Sequence, residues 1–177
     1  MKLGLNNDEV ELVPFQTEWK AEFEKVKAAL IEHTTLQPVQ IEHIGSTAIK
    51  GIQAKPIIDI LVGVEHLEVL EKSFIQDLQK AGFYRLRVER PEEIVCAKFT
   101  DETYETKTHY IHIVEMHGTK WRQLLFFRDH LNENEDVRLQ YEALKTSFFE
   151  TILNGIDAYT NYKEQFVYSI FAKMEGN

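Results

Sequence analysis

Apolar residues along the chain recur every three or four positions in some stretches and every second position in others, and this alternation divides it into elements. Residues 1–10 read as a loose leader, and Val10 to Phe15 as a short extended segment stopped by Pro14. Trp19, Phe23, Val26, Ala29 and Leu30 then follow at helical spacing, with Thr17 placed to cap and Glu18 in the first turn, where a carboxylate favours the helix dipole. That helix is expected to end near His33-Thr34. A short strand, Ile41 to Ile44, leads into a Gly45-Ser46 turn and a linking segment, and a strongly apolar strand runs from Pro56 to Val64. Leu67, Val69, Leu70, Phe74, Ile75 and Leu78 mark a further amphipathic helix that Gly82 terminates.

Phe83 to Arg90 alternates, with Tyr84, Leu86 and Val88 set apart from Arg85, Arg87 and Glu89, the pattern of a half-buried strand. Pro91 turns the chain, Ile94 to Phe99 is the next strand, and 101–106 is a polar loop before a strand over Thr108 to Met116. The remainder has helical periodicity: Trp121, Leu124, Leu125, Phe127 and Leu131 behind Thr119; Val137, Tyr141, Leu144 and Phe148 behind Asn134; and, past a break at Gly155, Tyr159, Tyr162, Phe166, Ile170 and Phe171. Helix, two strands, helix, three strands and then helices make an α+β fold, a mixed sheet with helices mainly on one face and a helical C-terminal part. No repeat, low-complexity tract or linker interrupts 1–177, so a single domain is expected.

Composition narrows the function more than the fold. Twenty Lys+Arg against 29 Asp+Glu leave a net charge of −9, which argues against general nucleic-acid binding and against binding to anionic membranes. Cys96 is the only cysteine, so no intramolecular disulfide or thiolate metal cluster can form. It lies inside an apolar strand and reads as inert packing. The first ten residues lack the apolar core of a signal peptide, and no apolar run approaches membrane-spanning length, so a cytoplasmic location is expected. The acidic surface and many aromatics permit an oligomer without requiring one.

The chemistry concentrates in Ile41 to Val64. Gly45 lets the backbone approach a ligand closely, and the hydroxyls and first N–H groups of Ser46 and Thr47 can receive an anion, phosphate above all. An ordinary strand-to-helix turn would use the same residues. Asp59 sits among Ile57, Ile58, Ile60, Leu61 and Val62, where an acid is costly to bury unless it is paired or binds a cation. Lys55 or Arg87 would serve as its structural mate.

At these residues the chain resembles a known family. The run EHIGSTAIKGIQAKPIIDI, Glu42 to Ile60, is similar to the signature of the GrpB family, whose folds belong to the nucleotidyltransferase superfamily. Val13-Pro14-Phe15 with Trp19, the strand containing His112, and Phe127-Arg128-Asp129-His130-Leu131 with Tyr141 and Leu144-Lys145 extend the resemblance over nearly the whole chain. The resemblance implies a nucleotide or other phosphorylated ligand held at Gly45, Ser46 and Thr47. It also implies a divalent metal, magnesium first, on Asp59. Lys55, at the entrance of the Asp59 strand, would neutralise a phosphate or else pair with a surface acid.

The superfamily carries two alternating acids on this strand, whereas Leu61 stands in the second place here. His43 and His112 are therefore candidate additional ligands, with His112 favoured beside Asp59 and the two together as the catalytic pair. His109, Glu115, Glu89 and Arg128 are further candidates, although Arg128 with Asp129 reads more readily as an ion pair tying a late helix to the sheet. Imidazole with carboxylate suits zinc or manganese better than magnesium. Three functions stay open: a nucleotidyltransferase, a degenerate relative that binds a nucleotide or metabolite without turnover, and a histidine–carboxylate metal protein that hydrolyses or merely holds structure.

Overall fold

The computed structural model describes residues 1–6, 9, 11–88, 90–151 and 156–175, without the side chains of 149–151, 156–162 and 175. Glu89 and the break at Gly155 lie outside the described residues. The elements are β1 (Leu5–Asn6), α1 (Glu18–His33), β2 (Ile41–Ile44), β3 (Ile58–Val64), α2 (Lys72–Lys80), β4 (Tyr84–Arg85), β5 (Ile94–Phe99), β6 (Thr106–Glu115), α3 (Thr119–Glu133), α4 (Glu135–Thr151) and α5 (Ile156–Glu175). They build the expected α+β fold around a mixed sheet of order β2-β3-β6-β5-β4, with β1 added beside β6. β3 and β6 pair in parallel at the centre, and the other pairings are antiparallel.

The two central strands are apolar on both sides because both faces of the sheet are covered. On one face Ile58, Ile60, Val62, Ile111 and Ile113 meet Trp19, Phe23, Val26 and Leu30 of α1 and Leu78 of α2. On the other, Leu61, Val114 and Ile44 pack under Trp121 of α3. Behind α3, Phe127 and Leu131 join Tyr141 of α4, Ile170 and Phe171 of α5, and Ile49 and Ile52 of the linking segment. The larger helical group, α3 to α5, thus lies on one face, while α1 and α2 cover the face opposite. Each fully buried aliphatic or aromatic side chain contributes about 1.5–3 kcal/mol before entropy is counted.

Several boundaries differ from the sequence reading. The leader is not wholly loose, because Leu5 is buried and pairs with Lys107. The predicted strand over 83–90 shrinks to Tyr84–Arg85 at the sheet edge, where only β5 is available to pair, and Tyr84 and Val88 stand exposed. The second helix starts at Lys72 rather than Leu67. Thr17 is helical and makes no side-chain cap; its hydroxyl bonds Glu18 instead.

Candidate functional site

Register explains which candidate residues meet. Ile44 lies opposite Asp59 in the antiparallel β2–β3 pair, so the turn that follows Ile44 folds back over the acid. Gly45 has φ +71°, a left-handed conformation, and a Cβ there would stand 2.9 Å from Asp59 Cβ and Cγ and closer still to its carboxylate. Only glycine allows both the conformation and the contact. A short 3₁₀ turn, Ser46–Ala48, follows, and the first N–H groups of such a turn have no acceptor within it.

The two hydroxyls of the turn point apart. Ser46 Oγ lies 3.3 Å from the Tyr141 hydroxyl of α4. Thr47 Oγ1 lies 3.0 Å from His43 Nε2 and bonds the Ile57 carbonyl at 3.4 Å.

On the β3–β6 side, Asp59 lies beside Tyr110 and Leu61 beside His112, with all four on one face. His112 Nε2 is 3.5 Å from Asp59 Oδ1, and its Nδ1 makes a short hydrogen bond to Glu93. The Glu93 side chain is 2% exposed and also neighbours Arg90 and Lys120, each at 3.7 Å. The result is a carboxylate–imidazole–carboxylate chain whose outer end, Asp59, is 30% exposed. Burial disfavours the charged imidazole, but hydrogen bonds to Asp59 and Glu93 and their charges outweigh it and raise the His112 pKa to about 9. The same pairing holds Glu93 below its ordinary range against the opposing effect of burial. Burial, and then the Asp59 charge, push the Tyr110 phenol up to about 12.

Lysines gather where the turn meets α4. Lys145, 0% exposed, donates a short hydrogen bond to the Gln53 carbonyl, and its ammonium lies 4.8 Å from the centre of the Tyr141 ring. Burial, then the positive charge of Lys163, lower its pKa to about 7, with Glu142 opposing. Lys55 is lowered to about 8 by burial and by Lys163, and Asp59 pulls it the other way. The Lys163 charge therefore acts on both of these ammonium groups.

Other candidates do not join this group. His43 alternates onto the opposite face, stacked on Phe23 with ring centres 4.8 Å apart, and burial, followed by Arg128, moves its pKa to about 4 against the pull of Asp59. His109 also lies on that face. Its Nδ1 is 2.8 Å from Thr108 Oγ1, its ring edges Phe83, and its pKa falls to about 3 through burial and the lysines Lys98 and Lys25.

Expected as a metal ligand, His43 is instead a neutral packing residue bound to Thr47. Glu115 pairs with Val64, five residues along β6 from the level of Asp59, or roughly 17 Å away. Arg128 joins Asp129 at 2.7 Å, Glu42 at 2.6 Å and the His43 carbonyl at 2.9 Å, tying α3 to β2. Among the described residues no three His, Cys, Asp or Glu side chains form a metal cage. Cys96 is buried, which drives its thiol to about 12.

Glu93 was not anticipated, yet the signal was present. β5 and β6 form a hairpin in which Val95 faces His112, and a residue two before Val95 is the diagonal neighbour of His112 on the same face. Lys145 lies one helical turn beyond Tyr141 on α4, and its bond to the Gln53 carbonyl of the linking segment has no signal in the local sequence.

A donor test bears on the metal. Asp59 Oδ1 and His112 Nε2, 3.5 Å apart, are spaced as two ligands about 2.1 Å from one ion would be. Glu93 on the far ring nitrogen is the usual outer partner of a ligating histidine. The pair fits a cation that takes nitrogen and oxygen, with Leu61 buried where a second acid would stand.

Comparison with known proteins agrees over the whole fold. The family model described as GrpB protein matches residues 9–173. The glutamate-rich protein GrpB of Alkalihalophilus pseudofirmus is 47% identical over 173 residues, covering 97% of this chain and 99% of that protein. The crystal structure of a conserved protein GrpB from Enterococcus faecalis superposes with a TM-score of 0.74 at 27% identity, over 92% of this chain and 96% of that one. The Cid1 poly(U) polymerase superposes with a TM-score of 0.50 at 12% identity, over 76% of this chain and 43% of its own, a likeness of fold alone. On the strength of the match across 9–173, the chain belongs to the GrpB family.

Proposed function

We propose that this chain binds a nucleotide or another phosphorylated small molecule at the Gly45–Ser46 turn, and that it acts there as a nucleotidyltransferase-like protein with a divalent cation on Asp59 and His112. The observation that carries this reading is the packing of Gly45 directly on the Asp59 carboxylate, which sets the Ser46–Ala48 turn beside the acid. The fold neighbour Cid1 is described with MgGTP bound, which supports the ligand class by analogy of fold.

The chain's own residues divide the work. The N–H groups and Ser46 hydroxyl at the turn donate to phosphate oxygens, while Lys55 and Lys145 neutralise charge, a task that falls to them because Leu61 leaves one acid on β3. Glu93 fixes the His112 ring through Nδ1 so that Nε2 faces Asp59. The ion, when bound, supplies charge neutralisation on the phosphates. Occupancy requires the Nε2 proton to leave, so metal affinity should rise with pH up to about 9.

A binder without turnover is the second reading, and the buried Leu61 favours it. A thermal-shift screen of ATP, CTP and phosphate with Mg²⁺, Mn²⁺ or Zn²⁺ separates the possibilities, comparing wild type with Asp59→Asn and Ser46→Ala. A nucleotide-dependent rise in Tm that both substitutions weaken supports the site, and pyrophosphate release with it supports transfer. No shift with any nucleotide ends the reading.

A further inference from the structure

We infer that the cavity between α1, β2 and the C-terminal end of α3 is a second ligand site, independent of the Asp59 mouth, for a small organic anion carrying a ring. The cavity encloses about 460 Å³, within the span usual for small-molecule sites. Its charge is opposite to that of the chain. Lys20, Lys27, Lys50 and Arg128 line it against Glu24 and Glu42, an excess of two positive charges on a protein whose net charge is −9.

Within that excess, two cations are committed and two are not. Lys27 donates to the Ile41 carbonyl at 2.9 Å, and Arg128 donates to the His43 carbonyl and binds Glu42. Lys20 and Lys50 are exposed at the rim and form no ion pair with a described residue. Such a rim draws small anions inward.

Aromatic rings supply the wall. Phe15 and Phe23 line the cavity, and His43 lies against Phe23 at an interplanar angle of 11°. Its Nε2 engages Thr47, and burial keeps the imidazole neutral, so this wall offers flat, uncharged surface rather than a third binding charge.

The same geometry disfavours a peptide occupant. An added strand would need the outward carbonyls of β2, and Ile41 and His43 already give theirs to Lys27 and Arg128. The site is separate from the phosphate mouth because Thr47 faces the cavity while Ser46 faces Tyr141.

The test is amide NMR titration of the whole chain with phenyl phosphate, benzoate and AMP, against phenol, benzamide and adenosine as neutral counterparts. The proteins are wild type, Lys20→Glu/Lys50→Glu and Asp59→Asn. At least one anionic probe is expected to perturb amides within 20–27, 41–50 and 128–132, to bind about tenfold more weakly to the double variant, and to bind Asp59→Asn as it binds wild type. Both altered lysines are exposed, so the fold should survive, and unchanged β3 and β6 amides verify it. The inference is overturned by an absence of perturbation there, by equal binding of the neutral counterparts, by undiminished binding to the double variant, or by loss of that binding in Asp59→Asn. The last outcome would assign the anion to the phosphate mouth alone.

Discussion

The two faces of the central sheet treat histidine in opposite ways. On the α3 side, His112 stands between two carboxylates and keeps its proton to about pH 9. On the α1 side, His43 and His109 meet Phe23, Phe83 and hydroxyls, with the Glu22 carboxylate 3.5 Å from His109 Nε2, and remain neutral down to about 4 and about 3. The three rings sit on β2 and β6 of one sheet, so neither residue type nor depth explains the contrast. Partner charge does: desolvation acts against every one of these imidazoliums, and only Glu93 with Asp59 overcomes it.

The largest expected blow to this contrast is Glu93→Ala. It strips the buried partner from His112, Arg90 and Lys120, and should lower unfolding free energy by about 3–5 kcal/mol in urea titration. In the milder Glu93→Gln, NMR should find the His112 pKa well below about 9 and those of His43 and His109 unmoved. Gly45→Ala should come next, at about 2–3 kcal/mol, because it combines left-handed strain with a Cβ driven into Asp59. His112 titration should change with it, while that of His109 should not.

The pH dependence of stability should have opposite signs on the two faces. The folded pKa of His112 lies above the ordinary 6.5, so its contribution is fully present below pH 6.5 and disappears as pH rises through about 9. His43 and His109 have depressed values, so the fold should weaken as pH falls from 6.5 toward 4. Urea midpoints across pH 4–10 in wild type and His112→Gln would check both arms; an unchanged alkaline limb in the variant would remove His112 as its source.

The smallest effect should be Lys145→Met. Replacing a buried ammonium by an apolar chain of similar length should shift stability by about 1 kcal/mol in either direction. It should nevertheless weaken phosphate-dependent protection in a thermal-shift assay, which would separate ligand binding from folding on the α3 side.

Much of this architecture was legible in the residues because hydrophobic period reports burial. The first helix, the Asp59 strand and the C-terminal helices each carry a stripe or run that only one environment satisfies. Leu5 was missed because a two-residue strand has no period to detect. Residues 83–90 alternated convincingly, but at the sheet edge only two of the described ones lie in a paired strand, and alternation cannot say where a sheet stops.

For the site, proximity in sequence marked Gly45, Ser46 and Asp59 together, whereas His109 and His112, three apart on β6, leave its two opposite faces. Glu93, just before β5, reaches His112 through the β5–β6 register, and Lys145 of α4 reaches the linking segment through helix docking that no local pattern encodes. His43 was misplaced for a related reason: adjacency to Gly45 in sequence says nothing about which side of the strand a ring leaves from.

The parallel β3–β6 pairing has a further consequence during synthesis. Forty-one residues separate the end of β3 from the beginning of β6, so a ribosome releases the apolar β3 well before its central neighbour exists. Over that interval one flank of the strand has hydrogen-bonding groups with no native mate, and chains halted near residue 100 should be sticky and depend on chaperones in a way that the finished protein does not.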